Sequence, residues 1–423
     1  MLQEASLLGI RPAMKKPLAV PRSGSVGVVP LLLGFCLAYL LGFMSSATFQ
    51  NLYIHNILSP LLPAASPLQS PPPSSPPPPP EAVPCILPPS PPDEPTTPAL
   101  STMPLERQPM AFADFLAPST GGAMHNMTDE ELLWRASMAP RMKSTPKHAI
   151  APKIAFLFLV RGDMPLRPLW EMFFEGHEGM YSIYVHAQPD YTGSPPPESP
   201  FFGRMVPSQR TSWGNINLVD AERRLLANAL LDLSNAHFAL VSESCIPLFN
   251  FTTVNAYITG SNTNFVDSFN NEGSRVRYRP FFAQHNVSLE RWRKGAQWFV
   301  MDRMFALEII SDETYYGPVF RSYKDSFALD EHYIPTLVNV LGLGSLNSNR
   351  SVMYSDWRQP RGPKSHRGSE VTEELIKEMR RGMYGNCTYN GTVAEHCALF
   401  GRKFKPDALL PLLELAPKVM GYG

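Results

Sequence analysis

Between Lys153 and Val241, apolar runs alternate with amphipathic stretches at intervals that predict a layered fold. Ile154–Val160 (IAFLFLV) is continuously apolar and stops at Arg161-Gly162-Asp163, the pattern of a strand covered on both faces. Leu166–Phe174 then has helical spacing. Tyr181–Val185 reads as a second strand, ending at His186, and Phe238–Val241 as a third, ending at Ser242-Glu243-Ser244. Between these two, Val219, Leu225, Leu226, Ala229 and Leu230 mark an amphipathic helix, with Glu222, Arg223 and Arg224 expected on its outer face. Strand, helix, strand, helix, strand predicts an α/β domain with a mainly parallel sheet. Such sheets bind ligands at the carboxyl ends of their strands, where Arg161, His186, Ser242 and Glu243 fall. Polar residues also bound strands for purely structural reasons, so position alone does not decide their role.

The second half is less regular. Asn264–Val266, Gln297–Met301 and Ser351–Tyr354 read as strands, and Arg303–Ile310 and Ile334–Leu341 as helices. Thr372–Arg381 reads as a charged surface helix, and Asp407–Leu415 as a final helix kinked or broken at Pro411. In Arg291-Trp292-Arg293-Lys294, three cations surround a Trp, either to hold a sugar face or phosphate or as a solvated basic surface. In Ser326–Pro335 (SFALDEHYIP) a turn gives way to the apolar run of Leu337, Val338, Val340 and Leu341. Asp330 is placed to be the N-cap there and Glu331 to sit in the first turn, where the helix dipole favours a carboxylate. That suits a general base; it suits an ordinary helix start equally well.

Upstream of Lys153 the pattern changes. Arg11, Lys15, Lys16 and Arg22 precede an uncharged apolar run, Val26–Met44. A run of about 18 or more such residues spans a bilayer, with the basic flank cytosolic. A cleaved signal peptide is the rival, since Ser45, Ser46 and Ala47 follow; the long basic lead favours an uncleaved anchor. Many of the chain's 45 prolines lie between Ser59 and Pro109, a stretch that buries no core and reads as an extended stalk. The expected organisation is a cytosolic tail (1–25), a membrane anchor (26–46), a Pro-rich stem and neck (47–150) and a folded domain (151–416). A short helix from Asp129, capped by Thr128, lies in the neck. Sequons at Asn126, Asn250, Asn286, Asn349, Asn386 and Asn390 agree with a lumenal domain. Cys387 and Cys397 bracket a short loop and are expected to pair, whereas Cys245 reads as a buried thiol. The three domain cysteines lack zinc-site spacing.

With 423 residues, 44% hydrophobic, and a formal net charge of +0, the chain shows no global nucleic-acid signature. It contains neither G-x-G-x-x-G nor G-x-x-x-x-G-K-[ST], and neither H-E-x-x-H nor G-x-S-x-G. It also has no Asp-X-Asp, the pair with which many nucleotide-sugar enzymes hold a divalent metal.

The segments PKIAFLFLVRG, SIYVHAQP, TSWGNINLVDAERRLLANAL, FALVSESCIPL, RWRKGAQWF, LDEHYIPT and ALFGRKF occur in that order between Pro152 and Phe404, within a likeness that spans roughly Lys153 to Leu413. Together they resemble the plant branch of the core-2/I-branching β-1,6-N-acetylglucosaminyltransferases, glycosyltransferase family 14. The resemblance implies a GT-A-type fold with a Rossmann-like nucleotide half and an acceptor half. It also implies a single-pass type II Golgi enzyme that inverts the anomeric centre of a UDP-sugar and needs no metal. Its acceptor would be a glycan or glycoprotein. By the same resemblance Glu331 is the general base, and Arg350 and Lys403 stand in for the metal at the diphosphate. The nucleotide would lie along Leu159, Val160 and Arg161, at His186 to Gln188 and near Arg210, with Trp213, Glu243 and Trp298 toward the acceptor. The chain departs from the family at His186, where the family has Asp, and at Ser242-Glu243-Ser244, where it has Gly-Met-Asp. The interval from Arg350 to Lys403 is also longer. Donor and acceptor are therefore open, and a catalytically silent lumenal glycan-binding protein of the same fold is the alternative.

Overall fold

The computed structural model describes residues 122–141, 151–324, 327–359, 362–383 and 385–423. The expected tail, membrane anchor and most of the stem lie outside these residues. Among the described residues no helix is long and apolar enough to cross a membrane. The first part of the fold runs α1 (Asp129–Ser137), β1 (Lys153–Leu159), α2 (Arg167–Phe174), β2 (Tyr181–His186), α3 (Asn217–Leu230), β3 (Asn235–Val241), β4 (Ile246–Pro247) and α4 (Phe251–Thr259). The second part runs β5 (Val300–Asp302), α5 (Arg303–Ile310), α6 (Tyr333–Val340), β6 (Met353–Ser355), α7 (Glu373–Arg381), β7 (Cys387–Tyr389), β8 (Thr392–Ala394), β9 (Phe400–Arg402) and α8 (Leu409–Leu415).

The main sheet has the order β2-β1-β3-β5; β2, β1 and β3 are parallel and β5 closes the far edge antiparallel. β1 is buried from Ile154 to Leu159, as a strand covered on both faces must be. Phe156 and Phe158 pack edge-on against Trp170 of α2, and Phe156 also meets Phe173, Phe174 and Phe400. Strand alternation turns Ala155 and Leu157 to the other face, where α3 crosses β1, β2 and β3.

One expectation fails on α3. Glu222, Arg223 and Arg224 are buried, not solvated. A further helical layer covers that face. Arg224 makes paired bonds of 2.7 and 2.6 Å to Asp129 of α1, whose N-terminus is capped by Thr128 as expected. Arg223 donates to the carbonyls of Ile309 and Ile310, which end α5, and lies over the Tyr316 ring. Glu222 accepts from Gln297 Nε2 at 2.8 Å. The two arginines cap and bridge neighbouring elements, the roles that allow buried ionic groups, whereas burial raises the Glu222 pKa and favours its neutral form.

A second sheet, β4-β9-β6, joins the C-terminal region to the first; β9 is central, antiparallel to β4 and parallel to β6. Asn264–Val266 is extended but forms only isolated bridges, to Asn347 and Val300. The expected strand Gln297–Met301 begins later, at Val300, because Gln297 turns to Glu222. α8 is continuous through Pro411, which sits in its first turn, where an amide has no intrahelical partner to lose. Cys387 and Cys397 are bonded, S–S 2.04 Å, and Cys245 is buried and free. Asn126, Asn286 and Asn386 are exposed. Asn250 caps α4 through Thr253 N–H, and Asn349 accepts from Ser268 N–H. Asn390 both accepts from Asn262 N–H and donates to the Gly260 carbonyl.

Candidate active site

The segments that follow β1 and β3 approach the segment that follows β9. Arg161 follows β1 and is exposed, and Leu159 and Val160 before it are buried, which leaves their backbone at the edge. Ser242-Glu243-Ser244 follows β3, and the Ser244 carbonyl accepts from Phe404 N–H at 3.0 Å. That bond draws Lys403 toward the strand ends. Burial, then Arg402 and Arg161, push the Lys403 ammonium below its usual range, and Glu243 pulls the other way. Arg161, Arg402 and Glu243 thus all lie within electrostatic reach of Lys403, with positive charge in excess. Mutual repulsion of this kind is relieved by a bound anion, and phosphate suits it.

Arg350 is not part of that cluster. Its guanidinium donates to the Cys397 carbonyl (2.8 Å), to Tyr257 Oη (2.6 Å) and to the Thr388 carbonyl (3.3 Å), and lies over Phe265. Met353 pairs with Phe400 and Ser355 with Arg402. Arg350 precedes β6 while Lys403 follows β9, and because the two strands are parallel these positions are at opposite ends of the sheet. At about 3.3 Å per residue the separation is on the order of 15–20 Å. Arg350 braces the disulfide loop. Arg402, the member of that group not singled out from sequence, has its guanidinium 4.3 Å above the Trp298 ring. Trp298 is consequently buried beneath it and offers no face to an acceptor.

His186 is fully buried at the end of β2. Its Nε2 faces Gln209 N–H at 3.3 Å, and burial lowers its pKa to about 4, so it stands neutral behind the strand ends. Gln188 is bonded to Thr211 through both amide atoms and ties the 208–213 loop to the end of β2. Arg210 on that loop is exposed, 3.7 Å from Asp190.

Glu331 closes a short helical turn, Leu329–Glu331, ahead of α6. Its side chain is 24% exposed, and Oε2 meets Arg277 Nη1 at 2.6 Å and Lys294 Nζ at 3.3 Å. Both cations take the same oxygen. Arg277, in the Arg275–Arg279 run of alternating arginines, was not distinguished by pattern. Lys294 was, but its neighbour Trp292 is fully buried, stacked on His332 and Phe320, and presents nothing to a sugar.

Asp330 does not cap α6. The helix starts beyond it, at Tyr333, and Asp330 turns inward beside Glu222. Its Oδ1 and Glu222 Oε2 are buried without hydrogen-bond partners. Burial first, then the Glu331 charge, raise the Asp330 pKa from 3.8 to about 6. A raised folded-state pKa means the fold holds a proton that the unfolded chain releases, so stability falls as pH climbs from about 4 to about 6 and stays lower above that. Asp330→Asn removes the dependence. It is expected to stabilise the protein at neutral pH by about 1–3 kcal/mol and to change little below about pH 4. Melting temperatures across that range check it; a loss of stability at neutral pH would mean that the ionised form is held by the fold.

Among the described residues no group of three or more His, Cys, Asp or Glu side chains is gathered for a metal. The sequence profile of the Core-2/I-Branching enzyme matches residues 154–380, a range that includes Glu331 and stops short of Lys403. Glycosyltransferase BC10 of Oryza sativa subsp. japonica is 35% identical over 309 residues, which cover 62% of this chain and 76% of that protein. The mixed α/β fold and the two similarities agree, and the chain belongs to the core-2/I-branching family of glycosyltransferases, family 14.

Proposed function

We propose that this glycosyltransferase transfers a sugar from a UDP-sugar to a hydroxyl of a glycan or glycoprotein, with inversion and without a metal. The fold is read as GT-A type. The chain is read as a type II protein of the Golgi membrane, anchored by residues 26–46 with the folded part lumenal. The observation that supports the reading is the Phe404 N–H bond to the Ser244 carbonyl, which sets Lys403 at the carboxyl end of β3 with Arg402 and Arg161 in electrostatic reach. Cations placed there stabilise the charge that grows on a departing diphosphate, the work a metal does elsewhere.

In the step itself, the acceptor oxygen bonds to the anomeric carbon as the bond from that carbon to the UDP oxygen breaks. The hydroxyl proton passes to Glu331, and the electron pair leaves with UDP. Arg277 and Lys294 hold Oε2. Oε1 is left to take the proton. N-acetylglucosamine is the first donor to test. A silent glycan-binding protein remains the second reading; the ion pairs already satisfying Glu331 are the observation on its side. The test is UDP binding and transfer by the full chain in detergent, with EDTA and a panel of UDP-sugars. Binding of UDP with transfer from one donor is expected. No UDP binding at millimolar ligand would overturn the proposal.

A further inference from the structure

Two loops outside the sheet meet beside Glu331. One carries Trp213, which is 77% exposed, and the other Phe327, which is 50% exposed. Their ring centroids are 5.0 Å apart at an interplanar angle of 75°. Large apolar side chains in contact with each other, yet turned to solvent, forgo burial and mark a place where something else covers them.

The loops are locked together. Ala328 N–H donates to the Gly214 carbonyl at 2.8 Å. Ala328 sits at φ 56° and Gly214 at φ 76°, both left-handed. A Cβ on Gly214 would come within 2.5 Å of the Phe327 ring, so only glycine lets the ring lie there. The aromatic pair is also tied to the carboxylate. The Arg277 guanidinium lies 5.6 Å from the Phe327 ring centroid and donates to Glu331 Oε2 at 2.6 Å. Trp213, Phe327, Arg277 and Glu331 form one continuous ledge.

We propose that Phe327 and Trp213 form the stacking subsite for a pyranose ring of the acceptor, and that Phe327 sets acceptor preference; this rests on Glu331 being the base. A hexopyranose presents C–H groups on one face and hydroxyls around its rim. The aromatic rings cover the C–H face, and Arg277 meets rim hydroxyls next to the carboxylate that takes the proton. The occupant is a neutral ring by the surface that receives it, an aromatic pair that offers C–H contacts and no charge of its own. Phe327 acts on binding of the acceptor and not on the nucleotide, which the strand ends hold.

The experiment titrates the tryptophan fluorescence of the full chain in detergent with the methyl β-glycosides of galactose, glucose, mannose and N-acetylglucosamine, with and without saturating UDP. UDP is titrated in parallel. At least one glycoside is expected to bind, with Phe327→Ala and Trp213→Ala weakening it by roughly tenfold or more. Phe327→Trp should restore binding, and UDP affinity should stay within about twofold in each variant. Binding of the glycoside unchanged in Phe327→Ala, or no glycoside bound by a protein that binds UDP, would overturn the subsite and leave the proposed function standing. A wild-type chain that binds glycosides as expected but not UDP would support the subsite while removing the nucleotide reading.

Discussion

Glu331→Gln is expected to lower transfer by about 10²–10⁴-fold, the usual contribution of a positioned base, with UDP affinity nearly unchanged. Gln keeps the volume and can still accept from Arg277, but it cannot take the acceptor's proton. The fold should survive. Glu331 and its two partners are each partly exposed, at 24%, 30% and 36%, so solvent screens the cations left behind. Loss of such pairs typically costs about 0–1 kcal/mol. A single-turnover assay beside a UDP titration and a melting curve separates the effects. If transfer stays within about tenfold of wild type, the base is another group. Asp330 is a poor substitute, since its side chain is buried and turned toward Glu222.

Lys403→Ala should weaken UDP binding by roughly ten- to a hundredfold, as loss of one charge-assisted contact does. Its melting temperature should hold or rise, because removing one of three crowded cations relieves repulsion among Lys403, Arg402 and Arg161. Arg350→Ala should do the reverse. UDP affinity should not change, while stability falls by about 1–3 kcal/mol as the Cys397 and Thr388 carbonyls and Tyr257 Oη lose their donor. Calorimetric titration with UDP in EDTA, with melting curves for both variants, reads the contrast. Equal loss of affinity in the two variants would contradict the parallel register of β6 and β9 as the guide to the site.

The residue pattern located β1, β2 and β3 within a few positions, because central parallel strands are apolar on both faces and read as unbroken runs. It located α5 without error and α7 within its Thr372 cap, since caps and helical spacing are local. The errors share one cause. Spacing on α3 showed a polar stripe at Glu222, Arg223 and Arg224 but could not show α1 and the end of α5 lying over it. Trp292 admitted a sugar-binding reading because an aromatic among cations reads the same whether it is exposed or stacked on His332, and the resemblance that put Trp298 toward the acceptor carries no sign that Arg402 lies over it.

Glu331 itself was visible in sequence as a carboxylate at the head of α6, through the motif that carries the family resemblance. The capping role assigned to Asp330 was not correct, because the helix begins after His332 and burial beside Glu222 takes Asp330 inward. Arg277, Lys294 and the Phe327–Trp213 contact reach Glu331 from other parts of the chain. By itself the sequence determined the parallel strands, the positions at their carboxyl ends, the family and the carboxylate proposed as the base. All of these depend on neighbours within a turn or a strand, or on motifs read in order. Only the tertiary structure decided that Lys403 joins Arg161 and Arg402 while Arg350 does not, and which cations and rings surround Glu331. Those pairings follow from strand direction and long-range packing, in which residues far apart in the chain share one dielectric environment and exclude water from each other.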